Sequence, residues 1–94
     1  MASVQDTLKE RNNTHGDFDQ CAEASQALKT TVPQFCPSLS NVQAEGLDMI
    51  FTKIARILAG NPCHIDTWHD IAGYATLVVR DLEKHAAIKE ATDE

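Results

Sequence analysis

Four carboxylates fall in two pairs at helical spacing: Glu45 with Asp48, three residues apart, and Asp66 with Asp70, four apart. Either spacing puts both members of a pair on one face of a helix. Brought together by a second chain or by an N-terminal helix, these acids would make a hard-oxygen site suited to Mg²⁺ or Mn²⁺ carrying the phosphates of a nucleotide. Left apart, they are solvated helix-surface acids or partners of neighbours such as Lys53 and Arg56, and an early-turn Asp favours a helix N-terminus.

A second group of polar residues runs from Cys63 through His64 and Asp66 to His69. Its spacing fails as a structural zinc site, because no second ligand pair exists elsewhere and His64 precedes the helix that contains His69. His69 and Asp70 are adjacent, so on a helix they point about 100° apart and do not form an acid/base pair by themselves. With the cations Lys53 and Arg56, His69 and Tyr74 complete a candidate ligand-binding set. Gly73 beside Tyr74 is costly inside a helix, by about 1 kcal/mol relative to Ala, so close approach of another helix or a ligand is expected there. Trp68 reads as a core residue.

Two amphipathic patterns must position these groups. Leu47, Ile50, Phe51, Ile54, Ile57 and Leu58 recur three and four apart, and so do Ile65, Trp68, Ala72, Ala75, Val79 and Leu82. Ser40 with Gln43 writes a capping box at the start of the first, and Gly60 followed by Pro62 writes its stop. Asp66 is the expected N-cap of the second. The short connection favours an antiparallel hairpin, with the two stripes facing each other or a common third element. That element is a weaker helix carrying Phe18, Cys21, Ala22, Ser25 and Leu28, with Asp17 offering negative charge to its N-terminus. Residues 30–40 read as an irregular connector from which Val32, Phe35 and Leu39 pack inward.

The expected fold is therefore all-α: a small three- to four-helix bundle built on a hairpin over about 40–60 and 65–85, plus an N-terminal helix over about 17–31. Residues 1–94 read as one domain with polar, mobile ends over about 1–14 and 85–94, although Val4 and Leu8 could extend a helix into the first of them. Met49, Ile71 and Val78 are candidates for apolar residues left exposed. A chain of this size leaves much of its surface wet, so a homo-oligomer, a dimer first, is expected.

Eight Lys and Arg against 14 Asp and Glu give a net charge of −6, which argues against nucleic acid and anionic membranes as partners. A local positive patch from Lys53, Arg56, Arg80 and Lys84 remains open. Three cysteines without framework spacing fit a reducing, cytoplasmic compartment, and neither a membrane-spanning run nor a signal sequence is present.

The runs Glu10-Arg11, His15-Gly16-Asp17-Phe18, Gln26-Ala27-Leu28-Lys29, Leu47-Asp48-Met49-Ile50, Lys53 to Gly60 and His64 to Ala75 together resemble a family of small proteins of tailed phages and prophages whose function is unknown. The resemblance covers residues 10 to about 80 and implies a phage or prophage origin, in the cytoplasm of a bacterial host; small size, acidic charge and the lack of a complete catalytic constellation then suit an accessory protein that binds a host or phage protein or a small ligand. A more distant likeness is to the MazG-type all-helical nucleotide pyrophosphohydrolases, which carry paired acids on consecutive helices. Glu45-Gly46-Leu47-Asp48 matches the first pair, whereas the second departs, with Asp66 and Asp70 four apart and His69 where an acid is expected. That likeness implies Mg²⁺ held by Glu45, Asp48, Asp66 and Asp70, phosphate neutralised by Lys53 or Arg56, and attack by water, or else an inactive relative that keeps only nucleotide binding.

Overall fold

The computed structural model describes residues 3–93, and residues 1, 2 and 94 of the two expected ends lie outside them. The chain is all-helical in this range: α1 (Val4–His15), α2 (Phe18–Lys29), the short α3 (Thr31–Phe35), α4 (Asn41–Ala59) and α5 (Ile65–Asp93).

Local chemistry explains where these helices begin. The Ser40 hydroxyl accepts from the Gln43 backbone N–H at 3.1 Å, and the Ser40 N–H donates to the Gln43 side chain at 3.0 Å, which completes the expected capping box. Ser3 and Asp6 form a second box at the start of α1. Asp17 caps α2 by accepting from the Asp19 N–H. Asp66 is not the cap of α5: the helix starts at Ile65, and Asp66 lies inside the first turn, where its charge still favours the helix N-terminus.

α4 is the spine. It packs against α2 on one side and α5 on the other, and α2 and α5 do not touch among the described residues. Two close approaches fix the antiparallel register of α4 and α5: Gly46 lies against Val78, where an added Cβ would come within 2.5 Å of a Val78 methyl, and Lys53 meets Asp70. The C-termini of α1 and α4 meet backbone to backbone. Gly16, at φ +82°, lies on the Ala59 carbonyl and Gly60 on His15, with the Asn61 N–H donating to the Thr14 carbonyl at 3.3 Å.

Several expectations are corrected. The polar N-terminal stretch is helical, in line with the helix that Val4 and Leu8 allowed there, whereas α5 runs beyond the hairpin helix expected to end near residue 85, three turns past the level at which α4 begins. α3 interrupts the connector, and Phe35 stands exposed while Val32 and Leu39 are half-buried. Most consequential is the phase of α5. The side chains it turns toward α4 are Thr67, Ile71, Tyr74, Val78 and Asp81, so Ile71 and Val78 are packing residues rather than leftover surface. The expected core stripe is shifted by one residue and faces outward, with Trp68 54 %, Val79 50 % and Leu82 47 % exposed. Gly73 has nothing within 4 Å of an added Cβ, so no helix of the same chain approaches it.

The crossing at Gly46 can be tested. Gly46→Ala gains up to about 1 kcal/mol of helix propensity but overpacks Val78, at a cost of about 1–3 kcal/mol. The single substitution should destabilise, and in a Val78→Ala background the same change should stabilise. Urea denaturation of the four proteins measures this coupling, and an equal gain in both backgrounds would show that the helices do not cross there.

Candidate functional site

The register just described decides what the four acids can do together. Glu45 and Asp48 lie level with turn 75–78 of α5, so Asp66 and Asp70 are displaced from them by about one and a half to three turns, roughly 8–18 Å along the axis. Glu45 is exposed and Asp48 half-buried on α4, and Asp66 and Asp70 are exposed on α5. Among the described residues no three His, Cys, Asp or Glu side chains come together in a way that could hold a metal ion. The Mg²⁺ that the pyrophosphohydrolase likeness implies therefore does not fit the acids of a single chain, and no catalytic step follows from them.

Asp70 has another partner. Its carboxylate lies 3.0 Å from the half-buried Lys53 ammonium, and the hydrogen bond and charge of Lys53 hold the Asp70 carboxyl below the usual carboxylate range. The pair latches the start of α5 to α4, which is the neighbour-pairing alternative that the sequence left open for these acids. His69, Asp70, Gly73, Tyr74 and Arg80 line a shallow hollow of about 580 Å³ along one side of α5. His69 and Tyr74 of the candidate ligand set thus share a surface, Lys53 is engaged with Asp70, and Arg56 belongs to a different place.

That place is a cleft of about 320 Å³ between α1, α2 and α4. Arg56 reaches it from α4, Arg11 from α1 and Lys29 from α2, and the buried Ser25 lines it together with Leu8 and Phe18. Sequence reasoning missed Arg11, Lys29 and Ser25 as site residues, since no periodicity links cations carried on three separate helices. Cys21 also lines the cleft; its thiol donates to the His15 carbonyl at 2.8 Å, and burial pushes that thiol up despite the opposing charge of Arg56. The His15 ring packs edge-on to His64 at 5.8 Å, and its Nδ1 is sealed from solvent with no hydrogen-bond partner. Burial foremost, then the charges of Arg56, His64, Arg11 and Lys53, lower the His15 pKa and keep the ring neutral.

Of the group from Cys63 to His69, Cys63 is an exposed free thiol. Trp68 is no core residue; its indole N–H donates to the Pro62 carbonyl at 2.7 Å, tying the first turn of α5 to the hairpin loop. No helix among the described residues is long and apolar enough to cross a membrane. Comparison of the chain with family models, with curated proteins and with solved structures finds no match.

Two pH effects follow. Because the Asp70 pKa is lowered in the native state, its contribution to stability is present above the unfolded carboxylate value and is lost as pH falls through the native one. Lys53→Met should return the Asp70 titration upward toward the ordinary range, as followed by NMR of its side-chain carboxyl; an unmoved titration would show that Lys53 is not its partner. For His15 the unfolded chain binds more protons between its ordinary value, about 6.5, and its lower native value, so stability should fall as pH drops through that window. Denaturant midpoints between about pH 7 and pH 5 should decline less steeply in His15→Gln than in the wild type, and parallel declines would locate the effect elsewhere.

Proposed function

We propose that this chain is a non-enzymatic helical accessory module that works as a homodimer, in keeping with the role its likeness to the phage family implies, and that the outward stripe of α5 is its assembly surface. The observation that carries this reading is the incomplete core: among the apolar side chains of the described residues only Ala55, at 1 % exposed, is buried. The accessible surface of 7131 Å² exceeds by about 1,700 Å² the roughly 5,400 Å² of a compact monomer of this mass. Obligate homodimers remove about 1,000–2,500 Å² per chain, so a second copy is a partner of the right size. The radius of gyration of 16.9 Å, against about 12.4 Å for a compact chain of this length, gives the same sense of an unclosed fold.

The stripe suits a partner identical to itself. Trp68, Ala72, Ala75, Val79 and Leu82 form a neutral band with its small residues at the centre and large ones at either end. A two-fold axis near Ala75 lets two α5 helices approach closely there, with Trp68 of each chain over Leu82 of the other and Ala72 beside Val79. The band continues into an apolar groove of about 280 Å³ between α4 and α5, lined by Leu39, Leu47, Ile50, Ala75 and Val78. Faces left open after assembly are then available to a protein or small-molecule ligand.

Val79→Glu is the test. In a functional monomer this half-exposed position tolerates the change within about 0.5 kcal/mol. In the dimer it buries a charge at the interface. Light scattering on a sizing column should give twice the chain mass for the wild type and the chain mass for Val79→Glu, with a lowered melting temperature. A wild-type monomer whose melting temperature is unchanged by Val79→Glu would contradict the proposal.

A further inference from the structure

The cleft between α1, α2 and α4 lies on the opposite side of α4 from the assembly stripe, within one chain, and its charge runs against that of the whole protein. The chain carries 14 acidic residues and a net charge of −6, yet three of its eight cations, Arg11, Lys29 and Arg56, converge on this one cleft, and no Asp or Glu lines it. Among the described residues none of the three is within ion-pair distance of a carboxylate. Asp17, next to the lining residues Gly16 and Phe18 in sequence, uses its carboxylate to accept from the Asp19 N–H at the start of α2. Bringing cations together without a counter-charge is unfavourable unless an anion completes the group.

The rest of the lining narrows the ligand. Ser25, at 6 % exposed, sets a hydroxyl among the cations, and Thr52 and Gln26 add neutral polar groups suited to the oxygens of an anion. Leu8 and Phe18 line the cleft while remaining largely exposed to water, and offer an apolar ledge to whatever enters. A volume of about 320 Å³ is the size of a small-molecule site. We infer that this cleft binds a small phosphate ester, with the phosphate held by Arg11, Lys29, Arg56 and Ser25 and an attached apolar or aromatic group resting on Leu8 and Phe18. Arg11 and Arg56 supply the planar forks that match phosphate oxygens, and Lys29 a third charge.

Phenyl phosphate is a direct probe, with inorganic phosphate and phenol as the two halves of the same chemistry. Calorimetric titration of the full chain should show saturable binding of phenyl phosphate that is several-fold tighter than inorganic phosphate, with phenol binding weakly or not at all. Arg11→Gln and Lys29→Gln, both on helix surfaces and both replaced by a good helix former, should each weaken phenyl phosphate about tenfold or more while leaving the far-UV circular dichroism unchanged. Lys84→Gln, the same change of charge on α5 away from the cleft, should leave the affinity as it was. The inference is overturned if phenyl phosphate does not bind saturably, if it binds no better than inorganic phosphate or phenol, or if Lys84→Gln weakens it as much as the two cleft variants do. None of these outcomes depends on whether the chain dimerises, because every residue of the cleft belongs to one chain.

Discussion

The structure depends on the position of α4. A helix placed between two others that never meet can cover one side of each, and the far sides of α2 and α5 stay open. Closing a bundle would need those two helices to touch, and here the meeting of Gly16 with Ala59 and of Gly60 with His15 anchors the α1–α2 unit at one end of α4, while Gly46 and Lys53 set α5 along its other side. Small residues decide the spacing, since three of these four close approaches pass through glycine.

From that arrangement the rest of the molecule follows. Apolar surface that a third layer would cover remains on α5 and in the α4–α5 groove, and a second copy of the chain supplies that layer under the proposed assembly. The candidate polar groups fall on both sides of the spine. On α5 lie Asp66 and Asp70, the latter committed through its pair with Lys53. Toward α1 and α2 lie the unpaired cations, the neutral His15 and the buried Ser25. A chain that is acidic overall therefore keeps a local positive cleft, and the two properties do not conflict because screening and distance separate them.

Much of this was legible in the sequence wherever the signal was local. The capping box of Ser40 and Gln43, the stop at Gly60 and the negative charge of Asp17 at the start of α2 each rest on groups within a few residues of one another, and the hairpin follows from the first two. The phase of α5 was not legible, because the helix carries two apolar rows one residue apart, Ile71-Tyr74-Val78 and Trp68-Ala72-Ala75-Val79-Leu82, and periodicity cannot say which row faces its own chain. Gly73 misled for a related reason: a glycine signals a close approach, but here the approach of this kind within the chain falls at Gly46. The positive cleft was hidden because Arg11, Lys29 and Arg56 come from three helices and converge only through the tertiary fold.

The central claim is that the outward face of α5 is buried by a second copy, and Trp68, the single tryptophan of the chain, sits on that face. Its fluorescence read across a dilution series of the wild-type protein tests the claim most directly. Burial by a partner predicts blue-shifted emission, poorly quenched by iodide, at high protein concentration, moving to red-shifted and readily quenched emission as the dimer dissociates by mass action. A tryptophan that is water-exposed and equally quenched at every concentration would contradict the account.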